Sequence, residues 1–210
     1  MAGKMRATDS EIVDLLAGQG YAVVPGFLAD GDVAALAAEA RQLRDGGTMR
    51  RAATGKGQEA SVDDTRRSDF IHWLAPDHCS SLQLRYLDSL EQLRQAVNRE
   101  LYLGLSDFEG HFALYPPGGF YRKHIDRFQN DSRRTLSVIL YLNTAWEEAD
   151  GGKLRLYLDE TDESACIDIA PRGGTLVVFL SERFWHEVLP AVSERVSITG
   201  WFRTRGEALF

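Results

Sequence analysis

The sequence is short of cysteine, of long apolar runs and of net positive charge, and each shortage excludes a class of protein. Its two cysteines, Cys79 and Cys166, form no CxxC motif and are too few for a disulfide framework. Apolar runs such as TLVVFL are far shorter than the roughly 20 residues that cross a membrane, and the N-terminus lacks the apolar segment of a secretion signal. The formal net charge of -7 gives no electrostatic reason to expect a nucleic acid partner. We therefore expect a cytoplasmic protein with reduced thiols and no membrane partner.

The first half of the 210 residues is patterned mainly as helices. The segment TDSE, residues 8–11, resembles a capping box ahead of an apolar run and predicts a helix start. Asp32 is the expected N-cap of a second helix over residues 33–44. Apolar residues recur at spacings of three and four over residues 86–101, which indicates one face of a third helix. The short segments GYAVVPGFL and FIHWL interrupt this half and are patterned as strands.

Residues 45–69 have no periodic apolar face, contain four glycines and carry many charges. Most connections inside a domain are much shorter than this segment. Long loops without structure of their own are often lids or disordered segments. The segment therefore predicts a solvated loop, with a lid as its functional interpretation.

After Gly104 the pattern changes to short alternating segments that are separated by the turn signals PPGG, EEADGG, DETDES and PRGG. Eight such segments favour a jelly-roll or cupin-like barrel. We therefore predict a single domain, residues 1–210, with an α+β, mainly β fold. Its double-stranded β-helix core would occupy residues 105–205, with the helices of residues 1–104 as support. The segments are HFALY, FYRKHIDRF, RTLSVILYLN, GKLRLYL, CIDIAP, TLVVFLS, HEVLPA and RVSITGWF.

Two polar residues, His124 and Asp126, lie two positions apart within FYRKHIDRF. In a strand they would point to the same face, so an imidazole and a carboxylate could reach one point. A metal site needs a third ligand from a distant strand, and His186, which opens HEVLPA, is the best candidate among five histidines. Two histidines and one carboxylate on one triangular face are typical of non-haem Fe(II) oxygenases, whereas a closed structural zinc site takes four ligands.

Arg195 opens the strand RVSITGWF nine residues after His186, and it shares a face with Thr199. An arginine inside a small barrel is costly unless an anion pairs with it, and its planar fork suits a carboxylate. Thr199 adds a hydroxyl, and Tyr141 on another strand adds a phenol. Together these groups indicate a socket for a dicarboxylate whose other end could chelate the metal.

With these motifs in place, the chain resembles the 2-oxoglutarate and Fe(II)-dependent oxygenases, and within them the prolyl 4-hydroxylase branch. The resemblance rests on the HxD motif, the distal histidine, the arginine nine residues later, and several further ordered segments. It covers residues 45–202 and is specific, because the motifs agree in order and spacing. The further segments are RRSDFIHWL, LYPPGGFYRKHIDRF, VILYLN, GGKLRL and HEVLPAVSERVSITGWF, which look like the core of the HIF prolyl hydroxylases and especially of their bacterial relatives.

Carried over by position, the resemblance implies Fe(II) ligands at His124, Asp126 and His186, with Arg195 on the distal carboxylate of 2-oxoglutarate. It also implies that residues 45–69 are a mobile loop over a peptide, and that Asp69 and Arg134 pair with each other near it. The cosubstrate pocket would further contain Tyr141, Thr199, Tyr115, Ile139 and Leu154. The substrate side would contain Trp201, Arg134, Asp69, Tyr121 and Trp73.

The resemblance implies a dioxygenase that uses Fe(II), 2-oxoglutarate and O2, with ascorbate as an optional reductant, and that hydroxylates a prolyl residue of a protein. A bacterial relative acts on elongation factor Tu, which makes this factor the candidate partner. Two alternatives stay open: a hydroxylase of a free amino acid or small metabolite, and a non-catalytic, cupin-like metal-binding sensor. Because O2 is a cosubstrate, oxygen sensing is a further role to consider. We expect a monomer.

Overall fold

The computed structural model describes residues 8–53, 62–126 and 133–206. In these residues three helices precede or interrupt a mainly β chain: α1 (Asp9–Gln19), α2 (Asp30–Asp45) and α3 (Ser81–Leu101). Single 3-10 turns lie at Pro76–His78 and Glu148–Asp150. None of the described helices combines the length and the apolar character needed to cross a membrane.

The helix starts show how local capping determines the boundaries. The Thr8 hydroxyl accepts from the backbone N–H of Glu11 while the Glu11 side chain accepts from the backbone N–H of Thr8, which confirms the predicted capping box. The prediction that Asp32 caps α2 is wrong, because the helix begins at Asp30 after Ala29, and Asp32 lies inside its first turn. A carboxylate there still favours the helix through the macrodipole.

The described residues form eleven strands. They are β1 (Tyr21–Val24), β2 (Arg50–Arg51), β3 (Phe70–Trp73), β4 (Leu105–Tyr115), β5 (Tyr121–His124), β6 (Arg134–Tyr141), β7 (Leu154–Tyr157), β8 (Cys166–Ile169), β9 (Leu176–Leu180), β10 (His186–Val188) and β11 (Arg195–Thr204). They form a seven-stranded major sheet, in the order β1-β9-β6-β11-β4-β3-β2, and a four-stranded minor sheet, in the order β5-β10-β7-β8. The central strands of the major sheet are buried on both faces, whereas β1 at the sheet edge alternates in burial.

All pairings between these strands are antiparallel, and the two sheets enclose an interior that contains both apolar and polar side chains. This architecture confirms the α+β, mainly β prediction with a double-stranded β-helix core and supporting helices. The longest pairing joins β4 to β11, where Gly110 and Gly200 lie opposite each other. A Cβ at Gly200 would collide with the Phe108 ring and the Glu109 carbonyl, so this crossing requires glycine.

The outer face of the major sheet carries the main apolar core, which it shares with the helices. Alternate residues of β6 and β11 are fully buried there, together with Leu90 and Leu93 of α3 and Leu36 of α2. A smaller cluster between the two sheets contains Ile139, Leu154 and Phe179, among others. The core therefore stabilises the sheet from outside and leaves its inner face available for a site.

Two sequence predictions need correction at the level of elements. The segment at residues 45–69 is not wholly a loop, because α2 ends at Asp45 and β2 pairs with β3. Residues 54–61, the middle of the predicted mobile loop, lie outside the described residues. The sequence pattern predicts one strand through the HxD motif, but β5 ends at His124 and Asp126 lies in the bend that follows.

Candidate metal and cosubstrate site

The three residues predicted as metal ligands lie together between the sheets. His124 ends β5 and His186 begins β10, and the two are direct partners in the pairing of these strands. Each of His124, Asp126 and His186 offers a ligand atom within 4.8 Å of the other two. Asp126 Oδ1 lies 3.7 Å from His124 Nε2, and Asp126 Oδ2 lies 3.4 Å from His186 Nε2. Both Nε2 atoms therefore point towards the carboxylate.

Backbone carbonyls orient the two imidazoles. His124 Nδ1 lies 2.7 Å from the Arg122 carbonyl oxygen, and His186 Nδ1 lies 3.1 Å from the Phe184 carbonyl oxygen. We assign the proton of each ring to Nδ1, because a carbonyl oxygen can only accept. This tautomer leaves Nε2 with a lone pair for a metal ion, and such outer contacts are typical of histidine ligands.

Burial and mutual charge determine the protonation of this cluster. Burial and the neighbouring His186 lower the pKa of His124 to about 3, which keeps its imidazole neutral. Burial alone would raise the pKa of Asp126, but the two histidines and a hydrogen bond from Ser137 outweigh it and lower that pKa to about 2. A neutral His124 imidazole and a charged Asp126 carboxylate are the states in which these two groups can bind a metal ion.

Asp126 depends on a side chain for its orientation. The Ser137 hydroxyl donates to Asp126 Oδ2 at 2.6 Å, and the Ser181 hydroxyl lies 2.9 Å from the Ser137 oxygen. Both serines are buried. The metal-binding cluster thus extends into β6 and to the end of β9.

Arg195 begins β11 and is buried on the interior face of the major sheet. Its Nε donates to the Gly152 carbonyl oxygen at 2.9 Å, and its Nη1 donates to the Ser197 hydroxyl at 3.4 Å. Its guanidinium carbon lies 5.0 Å from the Tyr115 ring centroid and 5.1 Å from that of Tyr141. Among the described residues no carboxylate pairs with it, so its charge is buried beside a carbonyl, a hydroxyl and two aromatic rings.

The glycine that receives Arg195 could not be another residue without strain. Gly152 has a φ of +67°, and a Cβ there would lie 3.1 Å from Arg195 Cδ and 3.1 Å from Ala191 Cβ. Glycine adopts this left-handed conformation at little cost. Gly152, which lies just before β7, therefore holds the arginine through its backbone carbonyl.

The other predicted cosubstrate residues surround Arg195. The Tyr141 hydroxyl is buried without a hydrogen-bond partner in the described chain, and burial raises its pKa while the charge of Arg195 opposes that rise. Thr199 contacts the Ser197 hydroxyl at 3.3 Å. Ile139 and Leu154 pack in the same interior cluster as Tyr141. The structure therefore brings the predicted pocket residues together at one end of the interior.

The residues predicted on the substrate side lie further along the same face. The Trp201 ring is buried, and its centroid lies 6.5 Å from that of Trp73, which is about one third exposed. The Arg134 guanidinium carbon lies 3.4 Å from the Trp201 ring centroid. The Tyr121 ring stacks on His124 at 3.6 Å. These side chains form an aromatic and cationic surface beside the metal-binding cluster.

The expected ion pair between Asp69 and Arg134 is not formed. Asp69 is buried and accepts two hydrogen bonds from Arg67, at 2.7 and 2.6 Å, whereas Arg134 pairs with Glu109 at 3.0 Å. Arg67 is nearer because it lies two residues from Asp69 on the same stretch before β3. Arg67 also covers the Tyr121 ring, at 4.3 Å from its centroid.

Sequence reasoning missed three polar residues of this interior: Ser137, Arg67 and His111. Ser137 could have been found, because it lies two positions from Ile139 on β6 and so shares its face. Arg67 lies inside RRSDFIHWL, one of the segments that carry the family resemblance. His111 pairs in register with Thr199 and packs against the Trp73 ring, at 4.9 Å between centroids. Its burial was not visible in the sequence.

The donor set fits a specific kind of occupant. Two imidazoles and one carboxylate leave part of a metal ion's coordination sphere for other ligands, as in non-haem Fe(II) sites. In the part of the chain that the structure describes, the Arg195 guanidinium has no carboxylate partner and the Tyr141 hydroxyl has no hydrogen-bond partner, so both fit a carboxylate ligand at the same end of the interior. The residues present therefore fit a metal ion and an acidic cosubstrate.

Comparison with known proteins agrees with this geometry. Residues 110–203 match the family described as the 2OG-Fe(II) oxygenase superfamily. A prolyl-4-hydroxylase of Pseudomonas putida, solved as a crystal structure, is 46% identical, with a TM-score of 0.85 and coverage of 95% of this chain and 100% of that chain. A Trichoplax adhaerens prolyl hydroxylase, solved with a peptide of hypoxia inducible factor, is 27% identical, with a TM-score of 0.81 and coverage of 93% and 88%.

Similarity also extends to curated proteins of animals. The hypoxia-inducible factor prolyl hydroxylase of Caenorhabditis elegans is 32% identical over 223 residues, which is 99% of this chain but 30% of that protein. This chain therefore spans under a third of the length of that relative. Taken with the full-length match to the Pseudomonas putida structure, these similarities show that the chain belongs to the 2OG-Fe(II) oxygenase superfamily, in its prolyl 4-hydroxylase-like branch.

Proposed function

We propose that this chain is an Fe(II)- and 2-oxoglutarate-dependent dioxygenase that hydroxylates a prolyl residue of a protein. The observation that carries the proposal is the juxtaposition of a buried His-Asp-His cluster with Arg195, a buried arginine without a carboxylate partner in the described chain. A metal-binding sensor would need the first feature but not the second. This argues against the non-catalytic alternative.

The metal ion, when bound, supplies the activation of O2 that couples decarboxylation of 2-oxoglutarate to oxidation of a C–H bond. The residues of the chain would position the metal ion and the cosubstrate. His124, Asp126 and His186 would hold the ion from one side, and Arg195 with Tyr141 would hold the distal carboxylate of the cosubstrate. The apolar walls at Ile139 and Leu154 exclude water from that end, which strengthens the pairing with Arg195.

A prolyl substrate is supported by relatives and by the mouth of the site. The Pseudomonas putida structure is of a prolyl-4-hydroxylase, and the Trichoplax adhaerens enzyme was solved with a peptide. Trp73, Trp201 and Tyr121 place aromatic rings beside the metal-binding cluster, and the partly exposed Trp73 ring suits contact with an apolar, ring-shaped side chain such as proline. Within this class, elongation factor Tu is our candidate substrate, from the resemblance to bacterial members.

The test is a substrate comparison with purified chain, Fe(II), 2-oxoglutarate and O2. Elongation factor Tu, a proline-containing peptide of hypoxia inducible factor and free proline are incubated separately, and succinate and the gain of one oxygen atom are measured. We expect succinate coupled to hydroxyproline in a protein or peptide. Hydroxylation of free proline alone would favour the small-metabolite alternative, and uncoupled succinate with every substrate would contradict the prolyl assignment.

Variants link this activity to the cluster. Asp126→Ala and His186→Ala should abolish substrate-coupled succinate formation, because each removes one of three ligands. Asp14→Ala is the matched control, since Asp14 is an exposed aspartate on α1. Full turnover by either cluster variant would contradict the assignment of the ligands.

A further inference from the structure

The three residues of the metal-binding cluster are held in different ways. His124 and His186 are oriented by the backbone carbonyls of Arg122 and Phe184, which no side-chain substitution removes. Asp126 lies in a bend two residues after the end of β5, so no strand pairing fixes it. Its orientation therefore depends on neighbouring side chains more than that of either histidine.

The hydroxyl of Ser137 is placed to provide that orientation. It donates to Asp126 Oδ2 at 2.6 Å, a short distance that is typical of a hydroxyl donating to a charged carboxylate. Ser137 is 1% exposed, so water does not compete for this contact from bulk solvent. It lies on β6, where Trp201 of β11 and Phe179 of β9 pair with it on either side. The donor is thus anchored in the middle of the major sheet.

The Asp126 carboxylate determines the direction of the hydroxyl protons of both Ser137 and Ser181. A serine hydroxyl has one proton, and that of Ser137 is directed to Asp126. In the 2.9 Å contact between the two serines, Ser181 must therefore be the donor and Ser137 the acceptor. Ser181 is 0% exposed, and its backbone N–H donates to the Thr135 carbonyl oxygen at 3.0 Å, which fixes its place beside β6. Aligned hydrogen bonds of this kind strengthen one another.

We propose that Ser137 is a positioning residue for the metal-binding carboxylate, and that Ser181 supports it in a hydroxyl relay, Ser181 to Ser137 to Asp126. The inference rests on the proposed metal site. Without the relay, the Asp126 carboxylate loses a buried donor and can rotate away from the two Nε2 atoms in the metal-free chain. Metal binding then has to order the carboxylate as well as coordinate it.

The test measures metal affinity rather than turnover. The full chain is titrated anaerobically with Mn(II), and free Mn(II) is counted by electron paramagnetic resonance. The isosteric pair Ser137→Thr and Ser137→Val differs only in a hydroxyl against a methyl group. We expect Ser137→Thr to keep the wild-type dissociation constant and Ser137→Val to raise it by about 10- to 100-fold, the range for the loss of outer-shell partners.

Ser137→Ala and Ser181→Ala complete the series. We expect Ser137→Ala to behave as Ser137→Val, and Ser181→Ala to weaken Mn(II) binding by about threefold or less, because the direct donor remains. Thermal unfolding of each metal-free variant shows whether it is folded. If Ser137→Ala does not fold, the threonine and valine variants still separate the hydroxyl from the volume of the side chain.

The Mn(II) titrations distinguish failure of the hydroxyl relay from failure of the proposed metal site. Wild-type Mn(II) affinity in both Ser137→Thr and Ser137→Val, in folded protein, would overturn the relay while leaving the metal site intact. Equal loss in both variants would also overturn it, because the effect would then follow volume. Failure of the wild-type chain to bind Mn(II) would contradict the metal site itself.

Discussion

Arg195→Met should make the cosubstrate-free chain more stable while it destroys the binding of 2-oxoglutarate. The arginine carries a buried charge whose described partners are one carbonyl, one hydroxyl and two aromatic rings. A buried charge without an opposite charge is costly, and a bound carboxylate would offset that cost. Methionine fills much of the same volume without a charge and keeps an unbranched apolar stem.

The contacts of Arg195 give the expected size of the changes in unfolding free energy and in 2-oxoglutarate affinity. Replacing buried ionic groups by apolar residues of similar volume is neutral or stabilising by about 1–4 kcal/mol, whereas the lost hydrogen bond to Gly152 costs about 1 kcal/mol. We expect the free energy of unfolding to rise by about 1–2 kcal/mol on balance. Removing one partner of a buried ion pair costs about 3–5 kcal/mol, so the affinity for 2-oxoglutarate should fall by roughly 100-fold to several thousand-fold.

Two measurements on the same variant check that stability rises while the affinity for 2-oxoglutarate falls. Denaturant unfolding of the metal-free, cosubstrate-free chain gives the change in stability, and titration of 2-oxoglutarate in the presence of Mn(II) gives the change in affinity. Arg195→Lys is the matched variant, because it keeps the charge and loses the planar fork. We expect it to bind 2-oxoglutarate more weakly than the wild type but better than Arg195→Met, without the gain in stability.

Two results for Arg195→Met would contradict this prediction. A fall of more than about 2 kcal/mol in the unfolding free energy of Arg195→Met would show that the guanidinium is a structural element of the fold. An unchanged affinity for 2-oxoglutarate would show that the buried charge serves some other anion. Either result would remove the observation that distinguishes an oxygenase from a metal-binding sensor.

Two further predictions concern buried groups outside the metal ligands. Burial lowers the pKa of His111 to about 4, so the unfolded chain binds a proton below pH about 6.5 that the folded chain does not. The unfolding free energy should therefore fall by up to about 3 kcal/mol as pH drops from about 6.5 towards 4. Denaturant unfolding at several pH values should show a shallower fall for His111→Gln than for the wild type. The variant His78→Gln, at an exposed histidine, is the control. An equal slope in His111→Gln and wild type would contradict this. Tyr86→Phe should raise the unfolding free energy by about 1–2 kcal/mol without changing turnover, because the buried Tyr86 hydroxyl has no hydrogen-bond partner in the described chain. An unchanged or lower unfolding free energy would contradict this prediction and would indicate a partner such as buried water.

The sequence predicted the fold well where periodicity and turn residues act locally. Turn signals separated the strands of the second half, and the capping box marked the start of α1 correctly. A predicted helix boundary was wrong where an N-cap residue, rather than the apolar periodicity, determines the start of the helix. The predicted third helix began at residue 86, but Ser80 accepts from the Gln83 backbone N–H and starts α3 at Ser81. The pairing of β2 with β3 was missed because a two-residue strand has no periodicity to detect.

The site was predictable where residues are close in sequence or alternate along one strand. The spacing of His124 and Asp126 and the face shared by Arg195 and Thr199 both carried information. Contacts that depend on three-dimensional proximity were not predictable in this way. The resemblance placed Asp69 opposite Arg134, whereas the chain pairs it with Arg67, because a buried carboxylate is satisfied by the nearest guanidinium fork.

The alternation of β6 and β11 explains why the site and the core can be altered separately. On β6, Ser137, Ile139 and Tyr141 face the interior, while the intervening residues pack against the helices. On β11, Arg195 faces inward beside Val196, which belongs to the outer core. Each strand therefore serves binding on one face and stability on the other. Substitutions at the outward positions should change unfolding first, whereas inward substitutions should change metal or cosubstrate affinity. The relay through Ser137 and the unpaired Arg195 are both products of this division.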